Sequence, residues 1–322
     1  MDRLAALFSD DMREVNALIL RHMESDVPLI PQVASYLIAA GGKRIRPLLT
    51  LASTRLCGDN GPRPYGLAAS VEFIHSATLL HDDVVDESEK RRGQDSAPVV
   101  FGNQASVLVG DFLFSRAFQL MVADGSLEVL RILSTASAVI AEGEVMQLQT
   151  ANNLETTLDE YYKVIASKTA ALFAAATEIG PVIAGSDASV QAAMCDYGHH
   201  LGMAFQIADD VLDYTADQEK LGKTVGDDLR EGKVTAPVII ALAKADTEER
   251  KFWTRTIVER DVREADLPCA QAILKRHNAL VRGQELAQRH ADAAINALNL
   301  CPAGELRDIL AALPAYVIGR DH

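Results

Sequence analysis

The chain has 322 residues, is 48% hydrophobic and carries a formal charge of −14 at pH 7. That length and apolar content support a large core, and the aromatic share of only 5% argues against a β-rich fold. The negative balance excludes nucleic acid as a natural partner, because its phosphates are repelled. Anionic substrates stay open if metal ions bridge the charges. Cys57, Cys195, Cys269 and Cys301 form no CxxC pair, so neither a structural zinc site nor a disulfide framework is expected. The N-terminal stretch carries Asp10, Asp11 and Glu14 without a long apolar core, and no apolar run reaches the roughly 18 residues of a membrane span. The expectation is a cytoplasmic protein with no signal peptide.

Helical periodicity dominates. It predicts helices at about 9–23, 29–40, 46–57, 64–87, 103–123, 127–149, 157–179, 188–215, 235–246, 249–258, 264–276, 279–298 and 303–319. Breaks are predicted at Gly41-Gly42, from Gly58 to Pro64, Arg92 to Gly102, Gly180 to Asp187 and Asp217 to Lys233. Neither a repeat nor a low-complexity linker interrupts the pattern. The expectation is an all-α, single-domain helical bundle over residues 1–322.

In chain order, the first chemistry-bearing segment is Gly41-Gly42-Lys43-Arg44-Ile45-Arg46-Pro47. Two glycines free the backbone, and three cations follow. Arg offers a planar fork and Lys a point charge to phosphate oxygens. Alone, such a cluster is more often a solvated helix start. In so acidic a chain, with Arg91-Arg92 as a second basic pair, a diphosphate site is favoured.

The second segment is His81-Asp82-Asp83-Val84-Val85-Asp86-Glu87. Residues four apart share a helix face, so Asp82 and Asp86 project together with Asp83 beside them. The preceding run from Val71 to Leu80 is almost wholly apolar, which places these carboxylates at the end of a buried helix. Their mutual repulsion calls for a cation, and Mg²⁺ takes one or two carboxylates plus substrate phosphates. His75 lies two turns before Asp82 on that face. It is as readily a satisfied core histidine as a substrate contact.

Phe205-Gln206-Ile207-Ala208-Asp209-Asp210-Val211-Leu212-Asp213 repeats the same Asp-Asp-x-x-Asp spacing after another apolar helix. One such motif in a chain with 45 acidic residues is compatible with a solvated helix end. Two at identical spacing make that reading improbable, and carboxylates near helix C-termini also run against the macrodipole. Lys168-Thr169, Lys223 and Lys233 complete the set. Each lysine alone reads as a surface residue, but Lys223 and Lys233 follow the second motif on a glycine-containing stretch able to fold over a site.

These segments, together with VGDFLFSRAF at 109–118, GEVMQL at 143–148, SKTA at 167–170 and GKTVGDDLREGKVTAP at 222–237, resemble the trans-type polyprenyl diphosphate synthases over most of the chain. Val234, where many relatives carry proline, is a small departure. The resemblance implies a helical bundle of the isoprenoid synthase type, with the two motifs facing one another across a deep central cavity. It implies three Mg²⁺ ions per site on Asp82, Asp83, Asp86, Asp209, Asp210 and Asp213. Arg91, Lys168, Thr169, Gln206, Lys223 and Lys233 would touch the allylic diphosphate. Gly42, Lys43, Arg46, His75 and Arg92 would bind isopentenyl diphosphate. Asp82, Asp83, Asp86, Asp209, Asp210, Lys168 and Lys223 would carry catalysis. A homodimer is implied as well, with delivery of a long product to a membrane for quinone synthesis.

Ala77 and Thr78 lie five and four residues before Asp82, about 6–7.5 Å along the helix axis. Both are small where short-chain relatives often carry aromatics, so a long product is expected, with Phe118, Leu120 and Met121 as candidates for the floor of its tunnel. A short-chain farnesyl or geranylgeranyl diphosphate synthase is the alternative. A class I terpene cyclase is disfavoured by the intact Asp209-Asp210-Val211-Leu212-Asp213 and the Gly41–Pro47 segment. A non-catalytic subunit of a heteromeric synthase would be expected to lose one aspartate motif.

Overall fold

The computed structural model describes residues 1–39, 41–91, 93–215 and 225–320. Helices dominate, and the one extended pairing among the described residues is a two-residue antiparallel ribbon, Lys90–Arg91 against Gln94–Asp95. Contacts divide the chain into two compact units. The first comprises Met1–Ser137, Leu172–Gly198 and Ala297–Leu310; the second comprises Ala138–Ala171, His199–Asn296 and Ala311–His322.

The first unit is organised on the Arg63–Val85 helix, whose Leu67, Ser70, Phe73, Ile74, Ala77 and Leu80 are buried. It lies against the Asn103–Asp124 helix, and small residues set their close approach. Ser70 Oγ donates to the Ala117 carbonyl at 3.1 Å, and a Cβ on Gly110 would come within 2.3 Å of the His81 ring. The Ile45–Leu56 helix is crossed at Gly180, where a Cβ would sit 2.1 Å from Ser53 Oγ. The break expected from Gly180 to Asp187 therefore begins after Ile183 rather than at Gly180. The glycine is a packing contact inside the Ala171–Ile183 helix, which runs on through Pro181. The turn comes at Gly185, with φ +70°.

The second unit centres on Trp253, Ile207, Tyr214, Ala236, Leu274 and Ala287, all essentially inaccessible. Its Leu158–Ile165 helix starts with a reciprocal cap: Thr157 Oγ1 accepts from the Glu160 N–H, and Glu160 accepts from the Thr157 N–H. The helix expected over 157–179 is interrupted by a π-helical turn, Ala166–Ala170, and the one over 249–258 ends in another, Thr254–Val258. A π turn inserts a residue without changing the periodic pattern much, so apolar spacing alone does not reveal it.

Candidate metal and diphosphate sites

In the first unit, the Arg63–Val85 helix ends at the first aspartate motif. Asp82 is half-buried, Asp83 is 1% exposed, and Asp86 is the C-cap, its N–H donating to the Asp82 carbonyl at 2.8 Å. The ribbon that follows brings Arg91 back over the helix end. Its Nε donates to Asp83 Oδ1 at 2.6 Å, and Nη2 closes on the same oxygen. Asp83 Oδ2 is buried without a hydrogen-bond partner. A buried carboxylate oxygen in that condition suits an electropositive guest. The donor set is all oxygen, as a hard divalent cation requires. No group of three or more His, Cys, Asp or Glu among the described residues forms a ready-made metal cage.

The basic segment belongs to the same unit. Gly41 and Arg44 both take positive φ, at +78° and +47°, so the chain turns sharply before the Ile45–Leu56 helix begins. Gly42 and Lys43 are exposed. Arg46 points inward, with Nη1 3.2 Å from His75 Nε2 and its guanidinium 4.3 Å from the Phe173 ring centroid. Two residues selected separately for a substrate role, 29 positions apart, thus meet. Arg44, not singled out for any contact, pairs with Glu72 at 3.5 Å. Arg92 and Lys223 lie outside the described residues.

In the second unit, Asp209, Asp210 and Asp213 lie in the last turns of the Ala188–Thr215 helix. Their surroundings differ sharply. Asp210 is buried and fully partnered: Tyr161 Oη donates to Oδ2 at 2.5 Å and Gln206 Nε2 to Oδ1 at 2.8 Å. Thr169 Oγ1 donates in turn to Gln206 Oε1 at 2.8 Å. Burial, with the nearby charge of Asp228, pushes the Asp210 carboxyl well above the usual carboxylate range, while Tyr161 and Gln206 oppose the shift. Asp228 is also pushed up, first by burial and then by Asp213, with Lys233 opposing. Buried acids of this kind hold a proton or accept a cation.

Asp209 is 41% exposed at its side chain and takes Arg320 Nη2 at 2.9 Å. Arg320 is itself almost buried, stacked 4.0 Å from the Phe205 ring centroid. Asp213 accepts the backbone N–H groups of Asp227 and Asp228, both at 3.1 Å, and so ties the motif to the following segment. Lys233 pairs with Glu231 at 2.5 Å. Lys168 sits in the π-helical turn and donates to Glu144 at 2.7 Å.

Tyr161, Glu144, Arg320 and Asp228 were not singled out as site residues by sequence reasoning. Asp228 and Glu144 fall inside the segments that carry the family resemblance, a usable signal. Tyr161 and Arg320 carry no local pattern, and only the fold brings them to the second motif.

The expected floor residues separate. Met121 is fully buried, and Leu120 is buried with a methyl 4.0 Å from where a Gly66 Cβ would be. Phe118 is corrected: it is 38% exposed, beside Phe114. On its helix Ala117 and Leu120 meet the Arg63–Val85 helix at Ser70 and Gly66, and Leu113 and Met121 are buried, whereas Phe118 is not. Ala77 is 0% exposed, whereas Thr78 is half-buried and caps back onto the His75 carbonyl at 2.9 Å.

An all-α scaffold with two Asp-Asp-x-x-Asp helix ends and two separate basic clusters defines a prenyltransferase that works with divalent metal. The polyprenyl synthetase family model matches residues 27–274, and the chain belongs to that family. It is 44% identical to the octaprenyl diphosphate synthase of Escherichia coli (strain K12), over all of this chain and 99% of that protein. Among solved structures it resembles a polyprenyl synthase from Caulobacter crescentus CB15 complexed with calcium and isoprenyl diphosphate, with TM-score 0.97, 50% identity, and coverage of 100% of this chain and 98% of that one. It also resembles a decaprenyl diphosphate synthase from Rhodobacter capsulatus, with TM-score 0.95, 52% identity, and coverage of 100% and 99%. The fold is therefore the all-α isoprenoid synthase fold.

Proposed function

We propose that this prenyltransferase extends farnesyl or geranylgeranyl diphosphate with successive isopentenyl diphosphates, giving an all-trans polyprenyl diphosphate of octaprenyl to decaprenyl length for a quinone side chain. The observation that carries this reading is two chemically distinct groups of side chains, each suited to a diphosphate. One is the carboxylate motifs with Lys168, and the other is Arg46 held against His75 beside the exposed Gly42 and Lys43. A terpene cyclase needs only the first. The names of the similar proteins and the small side chains of Ala77 and Thr78 support the long product.

In this reading Asp82, Asp83, Asp86, Asp209, Asp210 and Asp213 would hold Mg²⁺, three ions per site, for the allylic diphosphate. Magnesium, when bound, supplies the positive charge that makes diphosphate a competent leaving group. Arg91, Thr169, Gln206, Lys223 and Lys233 orient the same diphosphate, and Lys168 adds a charge where negative charge grows as the C–O bond breaks. Arg46, Lys43, Gly42, His75 and Arg92 hold isopentenyl diphosphate so that its double bond meets the allylic carbon. The proton lost afterwards goes to the departing diphosphate, since no described side chain stands out as a base. Buried apolar helix faces keep water from the cation.

We further place the enzyme in the cytoplasm as one catalytic domain and a homodimer, from which the product passes to a membrane. The Asn103–Asp124 helix is long and apolar enough to cross a membrane, and 44% of its most apolar 18-residue window is buried. It exposes Val107, Leu108, Phe118 and Val122. A second copy covering this face accounts for an apolar surface that water would otherwise meet.

Steady-state kinetics of Lys43→Ala and Arg46→Ala test the two-site assignment. Both variants should raise the KM for isopentenyl diphosphate, whereas Lys168→Ala acts through the allylic substrate. The reverse pattern would swap the sites.

A further inference from the structure

We propose that Glu144 is the positioning residue of Lys168, holding its ammonium group in place before the allylic diphosphate arrives; this rests on the role given to Lys168 above. Glu144 Oε2 accepts from Lys168 Nζ at 2.7 Å, and the two side chains are only 23% and 20% exposed. The pair is therefore not a solvated surface contact of the kind that contributes little.

The residue before it acts on the same lysine from the backbone side. A Cβ on Gly143 would lie 2.8 Å from the Lys168 amide nitrogen and 2.8 Å from Ser167 Cβ. The Leu127–Thr150 helix can touch the Ala166–Ala170 turn only because position 143 has no side chain. Gly143 thus admits the turn, and Glu144, next along the helix, takes hold of its lysine. The turn is π-helical, a distortion that recurs at functional sites. Its next residue, Thr169, leads through Gln206 to Asp210. One turn therefore presents a charge on a fixed carboxylate and anchors the second aspartate motif.

A chemical reason exists for such a clamp. Lysine is a point charge on a flexible four-carbon stem. In a chain with 45 acidic residues, an untethered ammonium has many other carboxylates to visit. Holding it in advance means that its ordering is not demanded at the moment of ionisation. The clamp should therefore act on turnover more than on isopentenyl binding.

The test is a double-mutant cycle on the full-length enzyme with Mg²⁺, comparing Glu144→Ala, Lys168→Ala and the double variant. Glu144→Ala should lower kcat about 10- to 100-fold, the usual scale for a group that orients a functional one. Its KM for isopentenyl diphosphate should stay near that of the parent. Glu144→Gln keeps the acceptor oxygen and should recover part of the loss; it also serves if Glu144→Ala does not fold. In the Lys168→Ala background, removing Glu144 should cost nothing more. Multiplicative losses, or full turnover by Glu144→Ala, would overturn the role of Glu144. Full turnover by Lys168→Ala would instead refute the reading of the lysine, a separate outcome of the same experiment.

Discussion

Tyr161→Phe removes one oxygen and leaves the ring in place. That oxygen donates to Asp210 Oδ2 at 2.5 Å, inside a site where Asp210 is 4% exposed. No water can replace it without repacking, so Asp210 keeps only the Gln206 donor at 2.8 Å. Leaving a buried acceptor unsatisfied costs about 1–3 kcal/mol. The isosteric ring adds no cavity, so about 2 kcal/mol is the expected loss. At about 2.1 cal/mol/K per residue, 322 residues give an unfolding entropy near 0.7 kcal/mol/K, hence a fall in Tm of about 3 °C. Scanning calorimetry of the metal-free protein measures this directly. Because Asp210 sits beside Asp209, the Mg²⁺ concentration for half-maximal activity should rise as well. An unchanged Tm together with an unchanged Mg²⁺ dependence would show that the Tyr161–Asp210 bond does not organise the motif.

Asp82→Ala or Asp209→Ala should lower turnover by about a hundredfold or more while far-UV circular dichroism stays helical, since each removes a charged ligand and little core; an active, helical variant would remove that aspartate from the site. Thr78→Phe should shorten the product towards geranylgeranyl diphosphate with chemistry intact, whereas Ala77→Phe, at a fully buried position, should also cost about 1–3 kcal/mol of stability by overpacking; chromatography of the products and melting curves separate the two. Asp210 and Asp228 have carboxyls pushed well above their ordinary 3.8 in the folded, metal-free chain. The folded state then holds protons that the unfolded state has released, so stability falls as pH rises from about 4 until the raised values are passed. Asp210→Asn should flatten that slope in EDTA, and a slope equal to the parent's would contradict the assignment.

Much of this was legible in the sequence because the chemistry is local. The two Asp-Asp-x-x-Asp motifs need only helical spacing to be recognised, and the Gly41–Pro47 segment only its composition. Helix positions followed from apolar period for the same reason. The misses have a different character. Gly180 reads as a breaker until the helix it packs on is known. The π turn at Lys168 barely disturbs the period that predicts its helix. Phe118 shares its helix with true interior residues, and only the direction of the neighbouring helix decides which face is inside. Arg320 reaches Asp209 across 111 positions, and Tyr161 reaches Asp210 across 49, with no local motif to announce either. Sequence reading finds groups that act through spacing; partners supplied by tertiary packing need the fold.

Product analysis of the purified protein tests the central claim most directly. The chain alone would be incubated with farnesyl diphosphate, labelled isopentenyl diphosphate and Mg²⁺, and its products dephosphorylated and separated by length. The account predicts all-trans alcohols of octaprenyl to decaprenyl length, absent when EDTA is present. Products that stop at geranylgeranyl length would contradict the long-chain reading, and no incorporation of isopentenyl units by the folded protein would contradict the prenyl-elongating function itself.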